Sequence, residues 1–123
     1  MEKIILDTNI LIEILKGDRK TIEKVESLGC ELCISSVTAM ELYYGAINKA
    51  EVSKLEKFIS LFTLIYPDET VSQKAMELVK RYAKSHSLDI PDSIIAATAL
   101  MEKCELFTYN RKDFRYIDGL KLV

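Results

Sequence analysis

The chain has no tryptophan, one histidine, two prolines, four glycines and three cysteines among its 123 residues. Each scarcity removes a class of explanation. The lone histidine, His86, sits in the polar stretch Lys84-Ser85-His86-Ser87, so no Ser/His/Asp or Cys/His arrangement has an identifiable base. The glycines are scattered and make no phosphate-cradling loop. Cys30, Cys33 and Cys104 are odd in number, in a chain whose start lacks a basic segment followed by an apolar signal core, so a disulfide framework is not expected. Cys30-x-x-Cys33 has no second pair and no nearby histidine to complete a zinc site, and these thiols read as small apolar packing groups. The longest apolar stretches, such as Ile94 to Met101, fall far short of the ~20 residues of a membrane span, and a cytoplasmic location away from any membrane is expected.

Charge of one sign is also missing. Seventeen basic residues against nineteen acidic give a net charge of −2, which supplies no global attraction for nucleic acid; such binding would need a local patch or metal ions. What is present is ordinary for a folded protein, with 49% hydrophobic and 29% charged residues. The length suits one domain over residues 1–123, burying roughly two thirds of the surface of the unfolded chain.

Ile4-Ile5-Leu6 is an apolar run without polar alternation, as expected of a central strand covered on both faces. Asp7-Thr8-Asn9 then offers capping side chains before Ile10, Leu11, Ile14 and Leu15, whose spacing is helical. A second helix is expected from Asp18 to Leu28, closed by Gly29, and a second strand at Leu32 to Ile34, with Ser35-Ser36 as the next capping corner. Helices from about Val37 to Asn48 and Val52 to Leu61 lead to a third strand over Phe62 to Tyr66. Glu69 to His86 has helical spacing, and Ile90-Pro91-Asp92 starts a helix that is apolar almost all round and therefore buried. Leu106-Phe107-Thr108 and Leu120 to Val123 complete the expected strands. The alternation argues for an α/β fold with a mainly parallel sheet, whose ligand site lies beyond the carboxyl ends of the strands.

Acids near strand ends and helix starts therefore matter, and each has a bland reading beside a functional one. Asp7 follows the first strand and serves equally as a helix cap. Glu41 shares a helical stripe with Val37, Tyr44 and Gly45, which implies a half-buried carboxylate in need of a partner; a Thr38 to Glu41 capping box is the alternative, though it wastes Ser35 and Ser36. Asp92 suits the first turn of its helix through the dipole, yet shares a face with Ile95, Ala96 and Ala99. Asp113 and Asn110 lie in a turn-like composition. Asp89 reads as the cap before Asp92. Brought together, four carboxylates would repel one another, and a divalent cation would resolve the conflict; oxygen-only ligands select Mg²⁺ or Mn²⁺ over zinc. The chemistry that follows is phosphodiester hydrolysis.

The blocks Leu6-Asp7-Thr8-Asn9-Ile10-Leu11, Ser36-Val37-Thr38-x-x-Glu41-Leu42-x-x-Gly45, Asp92-x-x-Ile95-Ala96-Ala97-x-Ala99 and Thr108-x-Asn110-x-x-Asp113-Phe114 together resemble the PIN-domain family in order and spacing, and the compact chain is similar to its VapC-type toxins. That resemblance implies a three-layer α/β/α fold and an endoribonuclease using Mg²⁺ or Mn²⁺. It implies Asp7, Glu41, Asp92 and Asp113 as catalytic metal-site positions, the last shared as a candidate with Asn110, and Thr8, Asn9, Thr108 and Asn110 as supporting polar groups. It also implies an RNA substrate, a homodimer and silencing by a small antitoxin. Arg111, Lys112 and Arg115 are candidate contacts to RNA phosphates; Lys80, Arg81 and Lys84 read as a solvated helix surface.

Two rivals stand beside this. A PIN-like module could hold RNA or protein without cutting it, although intact acids in all four blocks argue against that, since such a module has no evident reason to keep Glu41 and Asp92 half-buried. A phosphatase using Asp7 as nucleophile would favour a second acid nearby and a well-placed lysine, whereas the chain offers Asn9 and no clear lysine at a later strand end. Tyr43 and Tyr44, with the helices around them, fit either a dimer surface or internal packing.

Overall fold

Short apolar runs with few polar interruptions become strands buried on both sides, and in the computed structural model, which describes residues 2–123, four of them form one parallel sheet. The elements run β1 (Lys3–Leu6), α1 (Thr8–Leu15), α2 (Arg19–Ser27), β2 (Glu31–Ser35), α3 (Ser36–Tyr44), α4 (Lys49–Ile59), β3 (Thr63–Ile65), α5 (Glu69–His86), α6 (Ile90–Glu102) and β4 (Glu105–Phe107), followed by a 3₁₀ turn at Arg111–Asp113. The strand order is β3-β2-β1-β4, and Ile5 lies opposite both Cys33 and Leu106.

The period of two along β1 sorts the core into layers. Ile5, Cys33 and Leu106 pack with α5 and α6 through Leu78, Tyr82, Ile95, Ala96 and Ala99, while Ile4, Leu6 and Ile34 pack with α1, α3 and α4 through Ile10, Leu11, Leu42 and Leu55. The result is the expected α/β/α arrangement. On α6 the alanines let the helix lie close to its neighbours, and its buried hydroxyls are satisfied locally, Ser93 donating to the Ile90 carbonyl at 2.6 Å and Thr98 to that of Ile94 at 2.7 Å. Truncating Ile95, which is fully buried, would cost about 2–5 kcal/mol. Among the described residues no helix is long and apolar enough to cross a membrane. The three cysteines are free, and burial pushes the Cys33 and Cys104 thiols up to about 11, away from reactive-thiolate behaviour.

Several expected boundaries move for local reasons. The Asn48 side chain accepts from the Glu51 amide at 2.8 Å, so Asn48 caps α4 rather than ending α3. That helix stops at Tyr44, and α4 begins at Lys49, ahead of the expected Val52. Phe62 stays outside β3 and meets Phe58 edge to face at 5.3 Å. Leu120 to Val123 is not a strand: only Leu122 bridges Leu106, after a turn in which Gly119 takes φ +82°.

Candidate active site

The strand order reverses beside β1, since β2 and β3 extend to one side and β4 lies on the other. A crevice opens at such a point, outside the carboxyl ends of the two diverging strands. Asp7 and Thr108 occupy those two ends. The Asp7 amide donates to the Phe107 carbonyl at 2.9 Å, extending the ladder by one bond, and its carboxyl then turns into the crevice. Oδ1 accepts from the Thr8 amide at 2.8 Å, capping α1, while Oδ2 accepts from Thr108 Oγ1 at 2.8 Å and Asn9 Nδ2 at 3.0 Å. Three of the carboxylate's roughly four lone-pair directions are thus filled, leaving one on Oδ1. Asp7 is 4% exposed. Burial raises its pKa, with a further upward push from Glu41, against downward pulls from Thr108, Thr8 and Asn9.

The donors around Asp7 are themselves held. Thr108 Oγ1 accepts from the Asn110 amide at 3.0 Å, and Asn9 Oδ1 accepts from the Tyr109 amide at 3.1 Å. One residue along, Thr8 Oγ1 lies 2.6 Å from Glu41 Oε1 and 3.0 Å from Thr38 Oγ1. Thr8 is the donor in both contacts, and the shorter one to the carboxylate takes the larger share of its single proton. Glu41 is exposed, which corrects the expectation of a half-buried carboxylate. The core side of α3 is set by Val37, Thr38, Ala39 and Leu42, leaving Glu41 at the rim above Thr8. Ser35 is the α3 cap, accepting from the Val37 amide at 3.1 Å, so Thr38 and Glu41 form no capping box.

Asp89 caps α6, accepting from the Asp92 amide at 2.8 Å. Asp92 is half-buried in the first turn, and its carboxylate accepts no hydrogen bond from the described residues. Its pKa is pushed up to about 7 by burial first, then by Asp89, Asp7, Asp113 and Glu41. Those last three interactions put all four sequence-predicted acids in one electrostatic neighbourhood. Asp113 is half-buried in the 3₁₀ turn, whereas Asn110 is exposed and its side chain caps nothing. Lys112 and Arg115 are exposed; Arg111 is exposed too, with Nη1 bonded to the Val123 carbonyl at 2.6 Å.

Two residues escaped sequence reasoning as parts of this neighbourhood. Thr38 supports the Thr8–Glu41 link, and its position three residues before Glu41 on the same helix was the available signal. Tyr116 has a buried hydroxyl with no partner among the described residues, and Asp92, Asp113 and Asp89 all raise its pKa after burial does; nothing in the local sequence marks it.

The donor set fits a hard divalent cation. All four groups are carboxylates, and none takes part in the ion pairs among the described residues, Lys3–Glu102, Lys16–Glu13 and Lys74–Glu77. Their charge therefore has no side-chain cation against it. Among the described residues no three Asp, Glu, His or Cys side chains stand close enough together to hold an ion as they are.

Comparison with known proteins agrees with this geometry. The PIN domain family model matches residues 4–120. The chain is 33% identical to ribonuclease VapC1 of Methanocaldococcus jannaschii over 123 residues, covering 98% of this chain and 86% of that protein. It is 29% identical to the tRNA(fMet)-specific endonuclease VapC of Shigella flexneri over 127 residues, covering 98% and 96%. Among solved structures, VapBC2 from Rickettsia felis bound to a DNA fragment from their promoter superposes with a TM-score of 0.83 at 30% identity, covering 98% of this chain and 97% of that one.

Proposed function

Because the chain belongs to the PIN domain family, we propose that it is a metal-dependent endoribonuclease and the toxin of a toxin–antitoxin pair. The observation that carries this reading is the pair Asp7, buried, and Asp92, half-buried, two carboxylates near the sheet's switch point without a cationic partner among the described residues. A charge kept at that cost has a use when a cation arrives.

Asp7, Glu41, Asp92 and Asp113 hold Mg²⁺ or Mn²⁺ in this proposal. When bound, the ion supplies positive charge against the phosphoryl oxygens and acidifies the attacking water. The protein's own part is orientation. Thr108, Asn9 and the Thr8 amide fix the Asp7 carboxyl, and Thr8, backed by Thr38, fixes Glu41. Asn110 acts through its amide on Thr108. Lys112, Arg115 and the exposed part of Arg111 border the site on the β4 side and attract RNA phosphates without reading sequence.

The relatives are named ribonucleases, one of them for tRNA(fMet), which makes tRNA the first folded substrate to try. Similarity to the VapBC2 assembly supports a small antitoxin as partner, and the exposed apolar side chains Met40, Tyr44, Ile47 and Leu61 support protein interfaces, including a homodimer, around α3 and α4. An RNA substrate and a small antitoxin partner support a cytoplasmic location for the protein in this reading.

The test is cleavage of a mixed-sequence RNA by the purified chain in Mg²⁺ or Mn²⁺, beside Asp7→Asn and Asp92→Asn. Cleavage lost in both variants and in chelator is the expected outcome. Metal-independent cleavage that survives both substitutions would overturn the mechanism, and folded protein that binds RNA without cutting it would leave the binding-module reading.

A further inference from the structure

Tyr109 stands between two residues of the site, Thr108 and Asn110, yet nothing in the proposed chemistry uses its side chain. Its position is fixed three ways. The backbone amide donates to Asn9 Oδ1 at 3.1 Å. The hydroxyl lies 2.6 Å from Thr21 Oγ1, and since Thr21 gives its only proton to Asp18 Oδ2 at 2.6 Å, Tyr109 is the donor. The ring meets Phe107 edge to face at 5.5 Å. Thr21 is fully buried and Phe107 nearly so, but Tyr109 remains 48% exposed. An aromatic ring has thus been immobilised at both ends and left open to solvent on the residue that follows Thr108.

Cationic residues neighbour its anchors in sequence, beside the Asp18 carboxylate that holds Thr21. Arg19 and Lys20 precede Thr21 on α2, and Arg111 and Lys112 follow Asn110; all four are exposed. Open-strand nucleic-acid sites combine cationic groups that follow the backbone with aromatic faces that receive bases, and a ring ordered in advance loses little freedom on binding. Bases in a duplex keep their faces against one another, so such a ring selects loops, bulges and open strands. We infer that Tyr109 is a stacking platform for an unpaired nucleobase of the RNA, adjacent to the phosphate that is cut. This rests on the ribonuclease reading and adds a base subsite to it.

The experiment compares wild type, Tyr109→Ala, Tyr109→Phe and Tyr109→Trp in two measurements. The first is steady-state cleavage of a mixed-sequence single-stranded RNA in Mg²⁺. The second is fluorescence anisotropy of a short labelled RNA of mixed sequence in Ca²⁺, with the RNA checked on a gel, beside the same strand carrying abasic sites. Tyr109→Ala is expected to raise KM and Kd by about tenfold, the low end of what loss of a base–aromatic stack produces, with kcat within about threefold. Phe and Trp keep the ring and should stay near wild type, and the abasic strand should bind wild type and Ala alike. Equal binding of the intact strand by Ala and wild type would overturn the inference, as would Phe being as damaging as Ala, which would assign the effect to the Thr21 bond. If wild type binds RNA but cuts nothing and Ala still binds more weakly, the platform stands while the nuclease reading falls. If wild type neither binds nor cuts RNA, both fall.

Discussion

Asp92→Asn removes a charge while keeping a side chain of the same shape, in a site where nothing donates to that charge. Burial and the neighbouring acids push the Asp92 carboxyl from the ordinary aspartate range up to about 7, which corresponds to a ceiling of about 4 kcal/mol against the ionised form. Solvent reaches part of this half-buried side chain and screens the repulsion, reducing the figure to about 2 kcal/mol. The first turn of α6 favours an anion by up to about 1 kcal/mol, and the variant gives that up. Repulsion and burial win, and the variant should gain about 1 kcal/mol without metal, or about 4 °C in Tm. A group whose pKa is raised on folding contributes stability that is complete below its unfolded pKa and is lost as pH rises through the folded one. Metal-free wild type should therefore lose stability between about pH 4 and 8, and the variant should lose less of it. Circular dichroism melts in chelator at both ends of that range are the assay. Added Mg²⁺ should then raise the wild-type Tm and leave the variant almost unmoved. A variant that melts below wild type at the alkaline end without metal would refute the account of Asp92 as a frustrated carboxylate.

Two further substitutions separate ligand support from bare structure. Thr8→Val removes the hydroxyl that holds Glu41 and should weaken Mn²⁺ binding by about 10- to 100-fold, measured by isothermal titration calorimetry; unchanged affinity would take Glu41 out of the metal set. Tyr116→Phe removes a buried hydroxyl that has no partner among the described residues and should be neutral or stabilising by up to about 1 kcal/mol, whereas a clearly lowered Tm would reveal a partner for that hydroxyl.

The strands and caps were legible because their signals are local. Ile4-Ile5-Leu6 could hardly be anything but a buried strand, and Asp7, Ser35 and Asp89 cap the helices that follow them. Non-local matters were not legible. Glu41 looked half-buried because it shares a helical stripe with Val37 and Tyr44, but Tyr44 is exposed and α3 is too short for that stripe to meet the sheet along its length. Leu120 to Val123 has strand composition, yet it pairs with β4 through a single bridge, Leu122 to Leu106, with the Lys121 carbonyl and the Val123 amide bonded to Leu106 on either side. The partners of Thr8 lie thirty or more residues away, and no sequence window contains them.

The competing readings of each acid were hard to separate for a physical reason: the same carboxyl group does both jobs. Asp7 caps α1 with one oxygen and accepts from Thr108 and Asn9 with the other, so the bonds that make it a cap also aim it into the crevice. Asp92 differs because Asp89 has taken the capping role, leaving its carboxylate without a donor of its own. This explains why Asp92, though less buried than Asp7, has a pKa carried to about 7. Burial and neighbouring acids act on both, but only Asp7 has hydrogen bonds to offset them. Within the proposed metal centre Asp7 is therefore a ligand positioned in advance, and Asp92 is the one whose charge depends most on the arriving cation.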